Sequence, residues 1–475
     1  MAANYLHGVE TIELSNGVRP VRVVKSSVIG LIGTSPIGPR NTLTLVQNAQ
    51  DAAVFGSPLP GFSIPKAIAD ILAQGSGGPI VVVNVFDPAT HVAAVSEEEK
   101  TVTGLKFKLT HAPISGVVVV EDTEEDPATY VLNEDYTFDA FGNFTILPDG
   151  DITEGDTVLV SYNRADFTSV NAALINGAFT AETGVRTGME AFDLTYNTFG
   201  FVPRILIAPG YSTQSAVAAK MLVKANKYRA HALIDAPIGT TPAAAVTGRG
   251  PLGAINFNVS DKRAVLCYPH FKAYDIATDA SENRPYSQFL AGVIARVDLQ
   301  EGYWNSPSNK EVLGVTGIER TITAAVNDPF TEANVLNENG IVTVFSSFGT
   351  GYRTWGNRSA AFPSSTAPGN FIAVQRVADI VHESLELAML QFIDKPITNA
   401  VIDSIRESCN AFMRTLIQRG ALVDGICSYD PAKNTPAQVA AGQLTFDLTF
   451  MPPTPAERIT FESFIDINLL QTLGQ

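Results

Sequence analysis

Two strand-length stretches near the start of the chain, Val28–Gly33 and Ile80–Phe86, are apolar along nearly their whole length and bracket a helix-spaced segment, Ile64–Gln74. Strands apolar on both alternating sides are covered on both faces, which points to a layered domain with a buried sheet. The alternation resumes further on. Arg204–Ala208, Ala230–Ala236 and Arg263–Tyr268 read as strands, Ser212–Arg229 as a helix behind a Ser/Thr cap, and a further helix lies near Pro242–Val246. The expected fold class is α/β, in the wider sense α+β, and 475 residues are enough for two to four domains.

From about Glu97 to Asn163 the texture changes. Leu105–Thr110, Val117–Glu121, Thr129–Asp135, Asn143–Leu147 and Thr157–Tyr162 are short alternating runs separated by Gly, Asp and Pro, the pattern of an all-β module inserted between halves of an α/β domain. This stretch holds fifteen Asp or Glu against three Lys, so it supplies about −12 of the formal −16 and is expected on the solvent side of any assembly. Tyr286–Val297 has the stripe of an amphipathic helix. Two more helices follow, one with Val374, Val377, Val381, Leu385, Ala388 and Phe392 on a face, the other with Val401, Ile405, Cys409, Phe412 and Leu416 and a stop at Gly420. Gln443–Phe450 and Glu457–Ile467 carry strand patterns interrupted by Met451-Pro-Pro-Thr-Pro455. The expected organisation is an extended N-terminal arm over 1–27, a core of 28–96 and 164–370, the acidic β insert over 97–163, and a C-terminal α+β domain with its own arm over 371–475.

Several functions are excluded by what the sequence lacks. No run of Lys or Arg exists to track a phosphate backbone, which argues against direct nucleic-acid binding. No secretory signal is visible and no apolar run approaches the roughly 20 residues that span a bilayer, so direct membrane insertion is not expected. Charged residues are only 17% with mean hydropathy +0.12, a balance suited to surface that meets protein. Cys267, Cys409 and Cys427 read as free buried thiols. Gly248-Arg-Gly-Pro-Leu-Gly253 satisfies the bare spacing of a dinucleotide loop, but a helix-like run precedes it and Pro251 lacks the N–H a phosphate would need. Cys267-Tyr-Pro-His270 and Glu121-Asp-Thr-Glu-Glu-Asp126 fall short of metal-ligand patterns. No phosphate-binding loop or nucleophile elbow occurs, so neither cofactor nor metal nor catalytic residue is expected.

Two segments carry a resemblance. Ala291-Gly-Val-Ile-Ala-Arg-Val-Asp-Leu-Gln-Glu-Gly-Tyr-Trp-Asn-Ser-Pro-Ser-Asn309 and Gly351-Tyr-Arg-Thr-Trp-Gly-Asn-Arg358 resemble the signature stretches of contractile-tail sheath proteins, the family shared by phage myotails, R-type bacteriocins and, more distantly, type VI secretion sheaths. His7-Gly-Val-Glu, Ile29–Ser35, Phe371–Ile380 and Pro436–Ile467 are similar to further parts of that family; 97–163 matches least. The resemblance implies a non-enzymatic virion subunit, assembled in the host cytoplasm as stacked six-subunit rings around a tail tube. Its partners would be itself, the tail tube protein, and baseplate and tail terminator proteins. Contraction would be a rigid-body rearrangement that consumes no nucleotide.

Site residues follow from the same resemblance. Val9, Ile12, Leu14 and Val18 would form an arm that adds a strand to a neighbour, with Leu444, Phe446, Leu448, Ile459 and Phe461 on the acceptor strands. Arg406, Arg414, Arg419 and Lys433 are candidates to face the tube. Arg296, Asp298, Trp304, Asn309, Trp355 and Arg358 form the signature loops. There Trp304 and Trp355 read equally as interface anchors or as tryptophans packed on their own domain, and Arg296 with Asp298, and Arg353 with Arg358, read equally as internal ion pairs. The alternatives are an α/β hydrolase-like or ligand-binding enzyme with a β insert, and another virion protein such as a baseplate component.

Overall fold

Every residue of β1 (Ile29–Gly33) is buried, as the apolar run requires. The computed structural model describes residues 21–122, 127–347 and 351–473. β2 (Thr44–Val46), α1 (Ile64–Ala73) and β3 (Ile80–Asn84) follow. The second half of the core adds β4 (Ile205–Ile207), α2 (Ser215–Tyr228), β5 (His231–Asp235), β6 (Ala264–Cys267), α3 (Tyr286–Gln300), β7 (Ile341–Ser347) and β8 (Gly351–Trp355). These strands form one sheet in the order β2-β3-β1-β4-β5-β6-β7-β8. The middle strands run parallel, and the edge strands β2 and β8 pair antiparallel to their neighbours.

Side chains alternate across this sheet into two layers. Ile29, Leu31, Ile80, Val82, Ile205 and Leu233 pack on α1 and α3, whereas Ile32, Val81, Val83, Leu206 and Ala232 pack on α2. α1 and α3 approach closely because Gly292 has no Cβ. A Cβ there would lie 2.6 Å from Gln74 Cγ and 2.8 Å from the Ile71 carbonyl oxygen. Gly292→Ala is therefore expected to cost about 1–3 kcal/mol by overpacking, despite its better helix propensity, read as a lowered urea midpoint.

The inserted module is built on its own small core of Val119, Phe144, Val158 and Val160. Its main sheet joins Val92–Thr101 and Pro113–Glu121 antiparallel to either side of Thr157–Ala165, with Thr129–Tyr130 outermost. The sheet thus begins at Val92, five residues before the expected boundary. Val92–Thr101 is half exposed and ends in Glu97-Glu-Glu-Lys100, so it looks like a charge run when its partner strand is not in view. The segment 123–126 of the acidic run lies outside the described residues.

In the C-terminal region, α4 (Ile372–Met389) and α5 (Asn399–Gln418) pack through Val377, Val381, Leu385, Cys409, Phe412 and Leu416. The two-stranded sheet of β9 (Asp424–Tyr429) and β10 (Phe446–Met451) closes that core. The strand expected over Glu457–Ile467 is absent. Pro452, Pro453 and Pro455 remove three ladder donors and carry the chain away from β10, leaving 452–466 without secondary structure. Cys267, Cys409 and Cys427 are all free and buried.

Candidate subunit-assembly site

The signature segments fold onto their own subunit. After α3 the chain turns at Gly302, whose φ is +101°, and the Trp304 ring lies over it so closely that a Cβ would meet the ring at 2.6 Å. Tyr303 and Trp304 contact each other edge to face, with ring centroids 5.1 Å apart, and both join the apolar core of α4 and α5. Trp355 packs on Phe345 at 4.7 Å on the last pair of strands. The two segments meet where the Asn309 N–H donates to the Thr354 carbonyl at 2.6 Å and the Arg353 guanidinium to the Asn309 carbonyl at 3.1 Å. Both tryptophans thus make contacts within the chain and are half buried there.

Arg296 and Asp298 do not pair with one another. The Arg296 guanidinium donates to the carbonyl oxygens of Gln74, at 3.3 Å, and Glu311. Asp298 instead accepts two bonds from Arg376 of α4, at 2.7 and 2.5 Å. That pair is the first of a bank of charges along α4. Asp379 accepts from both terminal nitrogens of Arg263, one of them at 2.7 Å, and from Gln375 at 2.8 Å; Glu383 meets Arg204, and Glu386 meets Arg229 at 2.6 Å. Arg376, Asp379, Glu383 and Glu386 recur at helical spacing, so they share one face. Arg204 and Arg263 directly precede β4 and β6 and Arg229 shortly precedes β5, so α4 crosses the sheet where its strands begin. Arg204, Arg263, Arg376 and Asp379 are all buried.

Burial pushes the Arg204 guanidinium down to about 10, so it stays charged at neutral pH. His231, the first residue of β5, is buried beside these arginines. Its burial, and then Arg376 and Arg263, hold the imidazole well below its ordinary value, and it is neutral. An unfolded imidazole takes up a proton as pH falls through about 6.5, whereas the folded one resists it. His231 therefore contributes stability that is fully present above that pH and is lost as pH drops, by up to about 1.4 kcal/mol per unit. From pH 7 to pH 5 the urea midpoint of His231→Gln should therefore rise relative to that of the parent.

The remaining candidate residues are divided by the fold. Val9, Ile12, Leu14 and Val18 lie outside the described residues. The chain that follows them is docked on the C-terminal domain: Val21, Val23 and Val24 pack on its core, and the Ser26 carbonyl accepts from Arg376 at 3.1 Å. Phe446 and Leu448 lie on β10 and pack, half buried, on the same core, with Leu444 half buried just before them. Ile459 and Phe461 instead stand 71% and 89% exposed on the irregular C-terminal arm, beside Phe464 at 87% and Ile465 at 96%. On β9, the Asn410 side chain already bonds both the N–H and the carbonyl of Cys427, at 2.8 and 3.0 Å.

Three of the four candidate cations have an acidic neighbour. Arg406 pairs with Asp403 at 3.0 Å, Arg414 leans on Glu407 at 3.7 Å, Lys433 binds Asp447 at 2.5 Å, and Arg419 is the exposed C-cap of α5. Arg358 stacks on Phe371 and Phe362 and binds Glu457 of the arm.

The glycine-rich loop has a structural purpose. It follows the helix Pro242–Thr247, and Arg249 within it donates to the carbonyls of Phe257, Val259, Ala360 and Phe362. His270 Nε2 bonds the Ala236 carbonyl at 2.8 Å. Among the described residues no three His, Cys, Asp or Glu side chains converge, and no helix is long and apolar enough to cross a membrane. The charge bank, the Arg358–Glu457 pair and the Arg249 bonds are structural links that the sequence reading missed. The detectable signal was the run Gln375, Arg376, Asp379 and Glu383, polar residues interleaved with the apolar stripe of one helix.

The architecture is thus a three-layer core, a separate β module and a terminal domain carrying an exposed apolar arm. Over 99% of this chain and 100% of the other, the fold matches the sheath complex of PVC, an extracellular contractile injection system, in its contracted state, with a TM-score of 0.60 at 15% identity. The chain belongs to the phage tail sheath protein family. Residues 184–360 match the phage tail sheath protein central domain and 364–466 the phage tail sheath C-terminal domain. The chain is 48% identical over 478 residues to the tail sheath protein of Burkholderia phage BcepMu, covering 100% of this chain and 99% of that protein. It is 34% identical over 304 residues to a putative prophage major tail sheath protein of Pseudomonas aeruginosa, covering 64% of this chain and 75% of that one. Residues 86–179 match a family described only as a protein of unknown function. The protein is thus a structural subunit of a contractile tail sheath and a component of the virion.

Proposed function

We propose that the protein polymerises as stacked six-subunit rings around a tail tube and shortens to drive that tube through the host envelope, doing no chemistry of its own. The observation that carries this reading is the exposed apolar arm over 459–470, which issues from the same domain that offers a small two-stranded sheet. Large apolar side chains clustered at 60–96% exposure mark a surface that a neighbour covers. Strand addition at an open sheet edge satisfies backbone and side chains together. Since Asn410 occupies the backbone of β9, the edge of β10 with Leu444, Phe446 and Leu448 is the acceptor. Ile459 and Phe461 belong to the segment that is donated, as do Val9, Ile12, Leu14 and Val18 at the other terminus.

The other assignments follow from this arrangement. The partners are further copies of the chain, the tail tube, the baseplate and the tail terminator, without direct contact to nucleic acid or insertion into the membrane, and assembly takes place in the host cytoplasm. Arg406, Arg414, Arg419 and Lys433 face the tube with alternating rather than uniformly positive charge, because Asp403, Glu407 and Asp447 accompany them. Negative-stain electron microscopy of the purified protein should show rings or tubes; small particles at every concentration and salt would overturn the reading.

The acidic module lies on the outer surface, where distance and salt relieve repulsion between copies. Excision of residues 92–165, closed by a short linker, should leave tubes that still form. Loss of tubes with retained circular dichroism would make the module an assembly element.

A further inference from the structure

Beyond β10 the chain does not leave the subunit at once. It crosses to the central domain, where the Glu457 carboxylate receives Arg358 Nε at 3.0 and 3.1 Å and a terminal guanidinium nitrogen at 2.5 Å. Arg358 is itself fixed. Its guanidinium lies 4.1 Å from the Phe371 ring centroid and 4.4 Å from that of Phe362, and its backbone bridges to Phe371 at the root of α4. Asn337, Gly340 and Gly356 wall the recess in which the pair meets. Past this point the large apolar side chains stand mostly in solvent, beginning with Ile459 at 71% exposure.

We propose that the Arg358–Glu457 pair is a clamp that moves the anchorage of the C-terminal arm from the β9–β10 sheet to the central domain. Strand β10 is held to the rest of its domain by one ladder and a half-buried apolar face. A pull along an arm attached directly to it would open that ladder from its Met451 end, one hydrogen bond at a time. With Glu457 held by a planar, bidentate and stacked guanidinium, the pull passes instead to β8, Phe371 and α4. Those elements are tied to the core by the sheet and by the charge bank, so the load is shared among many bonds loaded together. The role of a signature-segment arginine is then to keep a subunit intact while its arm is under tension.

The proposal rests on the reading that the arm joins a neighbour, but its test separates the two. Glu457→Gln removes the charge and Glu457→Lys opposes Arg358, both at a half-exposed position where folding is retained. In single-molecule pulling through the C-terminus, which needs no assembly, the extension from peeling of 446–451 should appear at lower force in E457Q and lower still in E457K. Loss of a pair of this exposure should raise the opening rate by about fivefold. Assembled E457Q sheaths should form but break into shorter pieces when sheared, whereas sheaths carrying Glu182→Gln, at an exposed position outside the arm, should match the parent. Equal peeling forces in parent, E457Q and E457K would overturn the clamp even if tubes form. Failure of the parent to form tubes would overturn the sheath arrangement and leave the pulling result to decide the clamp.

Discussion

Replacing Asp379 with alanine is expected to destabilise the protein by about 3–5 kcal/mol, the cost of leaving a buried guanidinium without its counter-charge. Arg263, its partner, is buried at 7% exposure, and Arg204 and Arg376 stand close enough that no repacking supplies another free carboxylate. Gln375 loses its acceptor as well. Equilibrium unfolding in urea, followed by tryptophan fluorescence, is a fitting probe, because Trp304 packs into the C-terminal core that α4 belongs to. A companion variant, Arg263→Met with Asp379→Leu, removes both charges and should recover most of the loss, since a buried ion pair contributes little net stability over a well-packed apolar pair. If Asp379→Ala unfolds within about 1 kcal/mol of the parent, the charge bank is not what fixes α4 to the sheet.

Deletion of residues 458–475 should leave the monomer folded and remove its capacity to build tubes. Among the described residues the segment makes no ladder, so thermal unfolding should move by no more than a degree or two. Yet it presents Ile459, Phe461, Phe464 and Ile465, each worth about 1.5–3 kcal/mol when taken out of water. Losing even about 4 kcal/mol per junction weakens each contact about a thousandfold, and a lattice repeats that loss at every subunit. Removal of residues 1–20 should have the same consequence. Sedimentation velocity and electron microscopy would decide it: sheath-length tubes from either truncated chain would show that terminal strands are not what joins subunits.

What the sequence disclosed follows the range of the interactions involved. The buried strands around Ile29 and Val82 were legible because double coverage leaves an unbroken apolar run, and the stripes of α4 and α5 because 3.6-residue periodicity is local. Strand pairing is not local. Ile459 and Phe461 alternate like a strand, but alternation does not say which chain supplies the partner, and among the described residues none does. Val92–Thr101 erred the other way, hiding a real strand under a run of glutamates. Arg358 was readable as one half of an internal ion pair, but its partner lies 99 positions away and no pattern joins the two. The signature stretches proclaimed the family more clearly than they revealed their work, which is to pack a turn against the C-terminal core and to hold the root of an arm.

A contractile sheath must keep its subunits free to move from assembly until contraction, and covalent cross-linking in that interval would end that freedom. Cys267, Cys409 and Cys427 are each less than 10% exposed, the first in the core beneath the large sheet and the other two in the C-terminal core. Burial also keeps the Cys267 thiol protonated, and so unreactive. Oxidation during that interval therefore has no described thiol at the surface with which to weld one subunit to the next, and the stored particle keeps the freedom to slide on which its one discharge depends.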